Sequence, residues 1–213
     1  MRKIPPGMIL GDPIKMNIIY NEFLSVCKLF IYCYFEMERN EKFNSIQKEN
    51  FYRNVFIDKY VRKFKYDFNL GYLLFTLESG VVSEDFTTEY RIDIQIQSTK
   101  SIQYCDEQFY LAFECKRLKN CGNNKEYING GMSRFVLDEK YSKGYPFAGM
   151  IGFIVKGSVS KIIQDLKTRI ENHPEESLRS SFAEFKLTDS FNYSFQTKHK
   201  ALYETIVDKF ITV

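Results

Sequence analysis

The segment LAFECKRLKN, residues 111–120, ends an apolar run with an acid, a thiol and two bases. Successive side chains of a strand point to opposite faces, so Glu114 and Lys116 share one face and Cys115 faces the other way. The preceding alternating segment, YRIDIQIQ, carries Asp93 on its polar face. If these two strands pair, both carboxylates lie within reach of one divalent cation, with a lysine beside them. This combination is suited to hydrolysis of a phosphodiester.

The predicted cation is Mg²⁺, with Mn²⁺ as a substitute. Asp93, Glu114 and the backbone carbonyl of Cys115 would supply the protein oxygens. Waters and a phosphate oxygen would complete the shell, because Mg²⁺ keeps much of its hydration. Lys116 would orient or help to deprotonate the attacking water and would counter the charge that develops at phosphorus. The predicted catalytic residues are therefore Asp93, Glu114 and Lys116.

The E-x-K pattern alone is not specific. The chain contains it again at Glu184 and Lys186, and contains the D-x-K form at Asp138 and Lys140. Asp138 lies in a predicted helix, where side chains two residues apart diverge. Glu184 lies in a predicted strand, but no acid-bearing strand leads into it, so its predicted role is a solvated strand face. The strand before Glu114 does carry an acid, which distinguishes this match from the others.

Periodicity in the rest of the sequence predicts the elements that position these residues. Helical spacing indicates helices over about 14–37, 45–66, 125–141 and 158–172, and a last helix from about Thr197. Strands are indicated over 70–80 (closing at Ser79-Gly80), 90–97, 107–118 and 146–155, with a hairpin over 182–195 that turns at Asp189-Ser190. Three consecutive strands, a helix and a return strand predict an α/β protein, a three-layer α/β/α sandwich with a central mixed β-sheet.

Composition limits the class of protein. The 213 residues are 44% hydrophobic and 27% charged, which is typical of a globular domain, and a single domain is predicted over 1–213. A net charge of +3 is too small to indicate a nucleic-acid partner by itself. The five cysteines form no C-x-x-C pair and lie far from the two histidines. This argues against a zinc site or a disulfide framework and favours a reducing, cytoplasmic location.

The apolar segment 14–35 raises the question of a membrane span. Its polar members, which include Lys15, Glu22 and Lys28, recur at helical spacing. This pattern is typical of an amphipathic helix with a wide buried face, so no membrane association is predicted. The face could pack within the chain or form a homodimer contact, and packing within the chain explains most such faces.

The order of motifs resembles a known family. RIDI followed by FECKRL, with a helix before them and the YINGGMSRF helix after them, resembles the PD-(D/E)XK nuclease superfamily, whose restriction-endonuclease-like core has the order αβββαβ. The resemblance covers about residues 45–170 and leaves two additions, the helix at 14–37 and the hairpin plus helix at 181–213. One departure is Ile92, which stands where the motif has proline.

The resemblance assigns roles to individual residues. Asp93 corresponds to the aspartate of the motif, Glu114 to its second acid and Lys116 to its lysine. Many members also carry an acid on the first core helix that contacts the waters of the metal, and the candidates for this outer shell are Glu49 or Glu78. The alternative for Glu49 is an acid at a helix start, favoured there by the helix dipole.

The residues predicted to contact nucleic acid lie at the strand end and in or just after the glycine-containing helix. They are Arg117, Lys119, Tyr127, Arg134, Lys140 and Lys143. Gly130 and Gly131 inside a helix cost about 1 kcal/mol each against alanine, which indicates close approach of the sheet or of a substrate. Arg134 could contact a phosphate, or it could pair with Asp138 on the same helix. A second basic cluster, DKYVRKFK, is predicted to be a solvated helix face.

Two functions remain open. The first is a metal-dependent nuclease, acting on DNA in preference to RNA and as an endonuclease in preference to an exonuclease; the resemblance implies a 5′-phosphate product. The second is a catalytically silent or partner-dependent subunit that binds nucleic acid or assembles a complex. The motifs also resemble small nucleases of bacterial anti-phage defence loci. The chain shows no target-recognition domain, which predicts control by a regulatory or activating protein partner, an oligomeric state or a signal.

Overall fold

The computed structural model describes residues 13–42, 46–82, 89–99, 110–137, 147–200 and 206–208. The first half contains α1 (Pro13–Asn40), the composite helix α2 (α-helical Glu49–Asn54, π-helical Val55–Val61, α-helical Arg62–Phe64), β1 (Leu73–Val82), β2 (Glu89–Ser98) and β3 (Leu111–Lys119). The composite helix α3 follows (3₁₀ Asn120–Asn123, α-helical Asn124–Tyr127, π-helical Ile128–Met132, α-helical Ser133–Val136). The remaining elements are β4 (Ala148–Lys156), α4 (Val159–Glu171), a 3₁₀ turn (Glu176–Leu178), β5 (Phe182–Glu184), β6 (Phe195–Lys200) and β7 (Ile206–Asp208).

The main sheet has four strands in the order β1-β2-β3-β4. β1, β2 and β3 are antiparallel neighbours, and β4 returns parallel to β3. A parallel return needs a crossover connection, and α3 lies between β3 and β4 in the chain. The chain is therefore a mixed α/β protein with a mixed sheet, as predicted at that level.

The strand pairing changes close to Asp93. β2 pairs with β3 from Ile96–Leu111 to Ile94–Phe113, so Asp93 lies just beyond the last pair. β1 does not close at Ser79-Gly80 as predicted. It continues to Val82, because Ser79 and Gly80 form pairs with β2. On this edge Glu78 lies opposite Asp93 and has a φ of 49°, a left-handed conformation that is uncommon for a residue with a side chain.

Two core clusters pack against the sheet. The first combines α1 and α2 with Ile94, Ile96 and Phe113, and the second combines α3 and α4 with Ala112 and Leu118. Neighbouring residues of β3 thus contribute to different clusters, as expected of a strand buried on both faces. Strict alternation would place Ile92 with Ile94 and Ile96, but Ile92 belongs to the second cluster. The alternation of faces along β2 is therefore interrupted between Ile92 and Ile94, opposite Glu78.

Helix α1 belongs to the first cluster. The ring of Phe23 stacks on Phe113 with 5.4 Å between centroids, and Phe30 meets the same ring edge-on at 5.0 Å. Among the described residues α1 is long and apolar enough to cross a membrane, and half of its most apolar window is buried inside the protein. The contacts to Phe113 make α1 a packing partner of the sheet.

The C-terminal region corrects one prediction and confirms another. The hairpin is present, with β5 paired to β6 and a turn at Asp189-Ser190 inside the Thr188–Phe191 bridge. The helix predicted from about Thr197 is wrong over the described residues, because 195–200 and 206–208 form strands. Buried Phe195, Thr197 and His199 alternate with more exposed neighbours, which is the periodicity of a strand.

Truncation of Phe23 tests whether α1 stabilises the sheet. We expect Phe23→Ala to lower the free energy of unfolding by about 3–5 kcal/mol, because the fully buried ring leaves a cavity over Phe113. Urea unfolding followed by circular dichroism measures the loss. Ile14→Ala on the same helix is the control, since Ile14 is 73% exposed and its truncation should change stability by about 0.5 kcal/mol or less. Equal effects of the two substitutions would contradict a core role for α1.

Candidate active site

Glu114 and Lys116 lie on one face of β3 and contact each other. The Nζ of Lys116 donates a hydrogen bond to Oε1 of Glu114 over 2.8 Å. Both side chains are buried, with Glu114 1% and Lys116 7% exposed. Cys115 packs in the first core cluster, so the predicted alternation of faces is confirmed. The hydrogen bond keeps the ammonium group of Lys116 next to the carboxylate of Glu114.

Asp93 joins β2 to β3 where their backbone pairing has ended. Its Oδ2 accepts the backbone N–H of Cys115 over 2.8 Å, and its Oδ1 accepts Nη1 of Arg53 over 2.6 Å. A strand residue presents its N–H and C=O to the same side, so the carbonyl of Cys115 also faces the β2 side. Asp93 and the Cys115 carbonyl, two of the predicted metal ligands, therefore lie at the same strand end.

Glu49 approaches the site from the first turn of α2. Its Oε2 accepts the backbone N–H of Arg117 over 2.6 Å, and its Oε1 lies 3.9 Å from Nζ of Lys116. Lys116 therefore lies between two glutamates, Glu114 and Glu49. This arrangement brings Glu49 together with the predicted catalytic residue Lys116.

Glu78 lies on the far side of the same cluster. Its Oε1 accepts Nη2 of Arg53 over 2.7 Å and Nδ2 of Asn50 over 3.1 Å. The hydrogen bond from Arg53 lowers the pKa of Glu78. Glu78 is thus next to Arg53 and Asp93, whereas the contacts of Glu49 are with Lys116 and Arg117.

Arg53 is a site residue that the sequence pattern does not reveal. It is 2% exposed and bridges Asp93 on β2 and Glu78 on β1. The apolar inner face of α2 begins at its neighbour Tyr52. A helical period of apolar residues predicts which of them are buried, but it does not identify a buried arginine. The available signal was the spacing of Glu49 and Arg53, since residues four apart share one side of a helix.

Arg134 on α3 reaches the same buried glutamate. Its Nη1 donates to Oε1 of Glu114 over 2.5 Å, and its side chain is 37% exposed. Gly131 explains how the helix comes so near, because a Cβ at this position would lie 2.4 Å from Cε of Met150 and 3.5 Å from Cε of Lys116. The close approach predicted for the glycine pair is therefore an approach of the helix to the sheet at Gly131.

The other residues predicted to contact nucleic acid have different environments. Lys119 is exposed at the end of β3, and Arg117 is partly exposed with its Nη1 donating to the backbone carbonyl of Gln47 over 2.6 Å. Tyr127 is fully buried in the second cluster, so the prediction that it contacts nucleic acid is wrong; its side of α3 packs against the protein core. The remaining two, Lys140 and Lys143, lie outside the described residues.

Burial and like charge govern the protonation of the site. Burial, and next the charge of Asp93, raise the pKa of Glu114 from its ordinary value of 4.5 to about 7. Burial also raises the pKa of Glu49. Burial alone would lower the pKa of Lys116, but the charge of Glu114 and the hydrogen bond to it outweigh this, so the pKa is raised. Lys116 is therefore a cation at neutral pH.

The donor set is suited to a hard divalent cation. Oε2 of Glu114 is buried and has no hydrogen-bond partner among the described residues, so it is available to a cation or a proton. No group of three or more His, Cys, Asp or Glu side chains with metal-binding geometry occurs in the described parts of the chain. A cation here would have two carboxylates, Asp93 and Glu114, with a backbone oxygen and water. Mg²⁺ accepts such a set because it retains several waters.

Comparisons of the chain with protein-family models, with curated proteins and with solved structures find no match. The resemblance to the PD-(D/E)XK superfamily therefore depends on the quoted motifs and on the geometry of the residues that carry them.

Glu114 predicts a specific dependence of stability on pH in the metal-free protein. Its folded-state pKa of about 7 is above the ordinary value of 4.5, so between these pH values the unfolded chain releases a proton that the folded chain keeps. The free energy of unfolding therefore falls as pH rises through this window, by an amount on the order of 2–3 kcal/mol. We expect Glu114→Gln to remove this fall, so that the variant gains stability relative to wild type from pH 4.5 to pH 7.

Urea titrations at a series of pH values provide the measurement. Glu184→Gln is the matched control, because it removes an exposed carboxylate from the other E-x-K sequence. Its profile should run parallel to that of wild type. A Glu114→Gln profile that also runs parallel to wild type would contradict the buried, proton-retaining glutamate.

Proposed function

We propose that this chain is a metal-dependent nuclease of the PD-(D/E)XK type, and that its two core clusters and mixed sheet represent a three-layer α/β/α sandwich with a restriction-endonuclease-like αβββαβ core. The observation that supports the proposal best is the unpaired buried Oε2 of Glu114 beside Lys116 and Asp93. An isolated buried carboxylate oxygen is costly unless a cation or a proton satisfies it.

The charges of the site favour a divalent cation together with a phosphodiester. The carboxylates of the cluster are Glu49, Glu78, Asp93 and Glu114, and the cations that contact them are Arg53, Lys116 and Arg134. With every carboxylate ionised the cluster has one negative charge in excess. A divalent ion would leave one positive charge in excess, and the single negative charge of a phosphodiester would balance it.

The proposed roles of the residues follow from their contacts. Asp93, Glu114 and the Cys115 carbonyl would hold Mg²⁺, which supplies an acidified water and neutralises charge on the phosphate when bound. Lys116 orients the attacking water and stabilises the charge that develops at phosphorus, because its ammonium group is fixed on the face of β3 that carries Glu114. Glu49 holds Lys116 from the other side and is the proposed outer-shell acid.

The proposed substrate is DNA in preference to RNA, cut internally with a 5′-phosphate product. Lys119 is exposed at the strand end, and the partly exposed Arg117 and Arg134 lie close to the buried pair. Cationic side chains at these positions can follow a phosphate backbone. The proposed setting is the cytoplasm of a bacterium, in anti-phage defence, with activity released by a protein partner or by dimerisation.

A second candidate function has its own support. Arg53, Lys116 and Arg134 already pair with the acids of the cluster, so most of its charge is balanced without a metal. A catalytically silent subunit that binds nucleic acid or assembles a defence complex would keep such a network for stability alone. This candidate predicts neither metal binding nor cleavage.

A cleavage assay with substitutions in both E-x-K sequences separates these functions. We expect wild type to cut supercoiled plasmid in Mg²⁺ or Mn²⁺, and we expect Glu114→Gln and Lys116→Ala each to lower the rate by about 100-fold or more. Asp93→Asn should behave in the same way. Parallel assays on single-stranded DNA and RNA define the substrate.

The matched controls are Glu184→Gln and Lys186→Ala, which change the same residue types at exposed positions at and just after the end of β5. They should cut at the wild-type rate within about two-fold. Equal rates for wild type, Glu114→Gln and Lys116→Ala would exclude this site. Calorimetry with Mn²⁺ on wild type gives a readout that needs no activating partner, and absence of both binding and cleavage would favour the silent subunit.

A further inference from the structure

Arg53 uses every nitrogen of its guanidinium inside the protein. Nη1 donates to Asp93 over 2.6 Å and Nη2 to Glu78 over 2.7 Å. Nε and Nη2 both lie 3.2 Å from Oδ1 of Asn54. With 2% of its surface exposed, Arg53 has the lowest exposure of the charged side chains of the site except Glu114. These hydrogen bonds and this burial hold the side chain in one conformation.

The acids of the site form two halves that share Asp93. In one half Oδ1 of Asp93 and Oε1 of Glu78 both contact the guanidinium of Arg53. In the other half Glu114 contacts Lys116 and Arg134 through Oε1 and keeps Oε2 unpaired. Cations contact the acids of both halves, but among the described acids of the site the unused buried oxygen is that of Glu114.

A metal ion in the Glu78 half would have to displace Arg53. Arg53 is buried on α2, next to the buried Tyr52 and just before the π-helical segment that starts at Val55. Its guanidinium can reach water only if the whole side chain leaves this position. If it stayed, one oxygen of each carboxylate would remain bonded to a guanidinium whose three nitrogens all have partners inside the protein.

We infer that Arg53 is a resident cation of the Asp93–Glu78 half and limits the site to one divalent ion, bound in the Glu114 half. This inference rests on the proposed nuclease function, since it describes how that site takes its metal. In this arrangement Glu78 is the ion-pair partner of Arg53 and does not belong to the metal shell. Glu49 is then the outer-shell acid. The chemistry is then that of a one-metal site in which an arginine occupies the place of a second ion.

Binding of Mn²⁺ to the full chain measures the stoichiometry without any need for activity. Isothermal calorimetry on wild type should give one Mn²⁺ per chain, with the electron paramagnetic resonance spectrum of an isolated ion. Arg53→Gln removes the resident cation and exposes both carboxylates, so it should bind two Mn²⁺ with a spin-coupled spectrum. Arg62→Gln removes the same charge from the same helix at a half-exposed position, and it should still bind one.

A second variant decides the question if Arg53→Gln fails to fold. Glu78→Gln keeps an oxygen for Arg53 and changes a side chain that is 42% exposed. It should leave the Kd for Mn²⁺ within about two-fold of wild type, whereas loss of a metal-shell acid weakens binding by about tenfold or more. A tenfold weakening would overturn the inference, as would two Mn²⁺ in wild type or one in a folded Arg53→Gln. A wild type that cleaves and binds two ions overturns this inference alone, whereas one that binds none and does not cleave overturns the proposed function as well.

Discussion

The carboxylate of Asp93 is the point on which the site depends. β2 and β3 stop pairing at Ile94 and Phe113, and one residue further on the side chain of Asp93 takes over by accepting the N–H of Cys115. This bond keeps the end of β3 beside β2 although the backbone ladder has ended. Among the described pairs of β2 and β3 none includes Cys115, and at this opening Arg53 reaches the other oxygen of Asp93. The end of the pairing between β2 and β3 thus gives room for a cluster of charged side chains.

Pairing of opposite charges allows this cluster of buried side chains to exist in a folded protein. Several ionisable side chains are buried together, and each would destabilise the fold if it were unpaired. Here helices from both core clusters contribute the balancing groups, Glu49 and Arg53 from α2 and Arg134 from α3. The site is therefore assembled at the end of β3 by residues of β1, β2, α2 and α3, and not by a single loop. A site of this kind can form before it binds any ligand, and its remaining imbalance of charge determines what it can bind.

The sequence predicted the parts that follow a simple period. Strand alternation placed Glu114 and Lys116 on one face and Cys115 on the other, and the order of strands predicted the mixed sheet. The partners of charged residues were not predictable in this way, because a buried arginine such as Arg53 is not distinguishable by period from a solvated one. The error at Thr197 had another cause: polar residues dominate this short strand, so the sequence does not show that His199 is buried. Its burial lowers its pKa to about 4, so it is a neutral core side chain.

The π-helical segment Ile128–Met132 carries a consequence for the length of the chain. It lies in α3 immediately after Tyr127, which packs in the core, and before Arg134, which reaches Glu114. Each residue of an α-helix advances the direction of the next side chains by about 100°. A π-helical turn holds about one residue more than an α-helical turn, so a deletion that converts this turn to an α-helical one keeps Tyr127 and Arg134 in phase. The same deletion in an α-helical turn of α3 would rotate Arg134 by roughly a quarter of a turn away from the sheet. The place of a deletion in α3, and not only the identity of the residues, therefore determines whether Arg134 reaches Glu114.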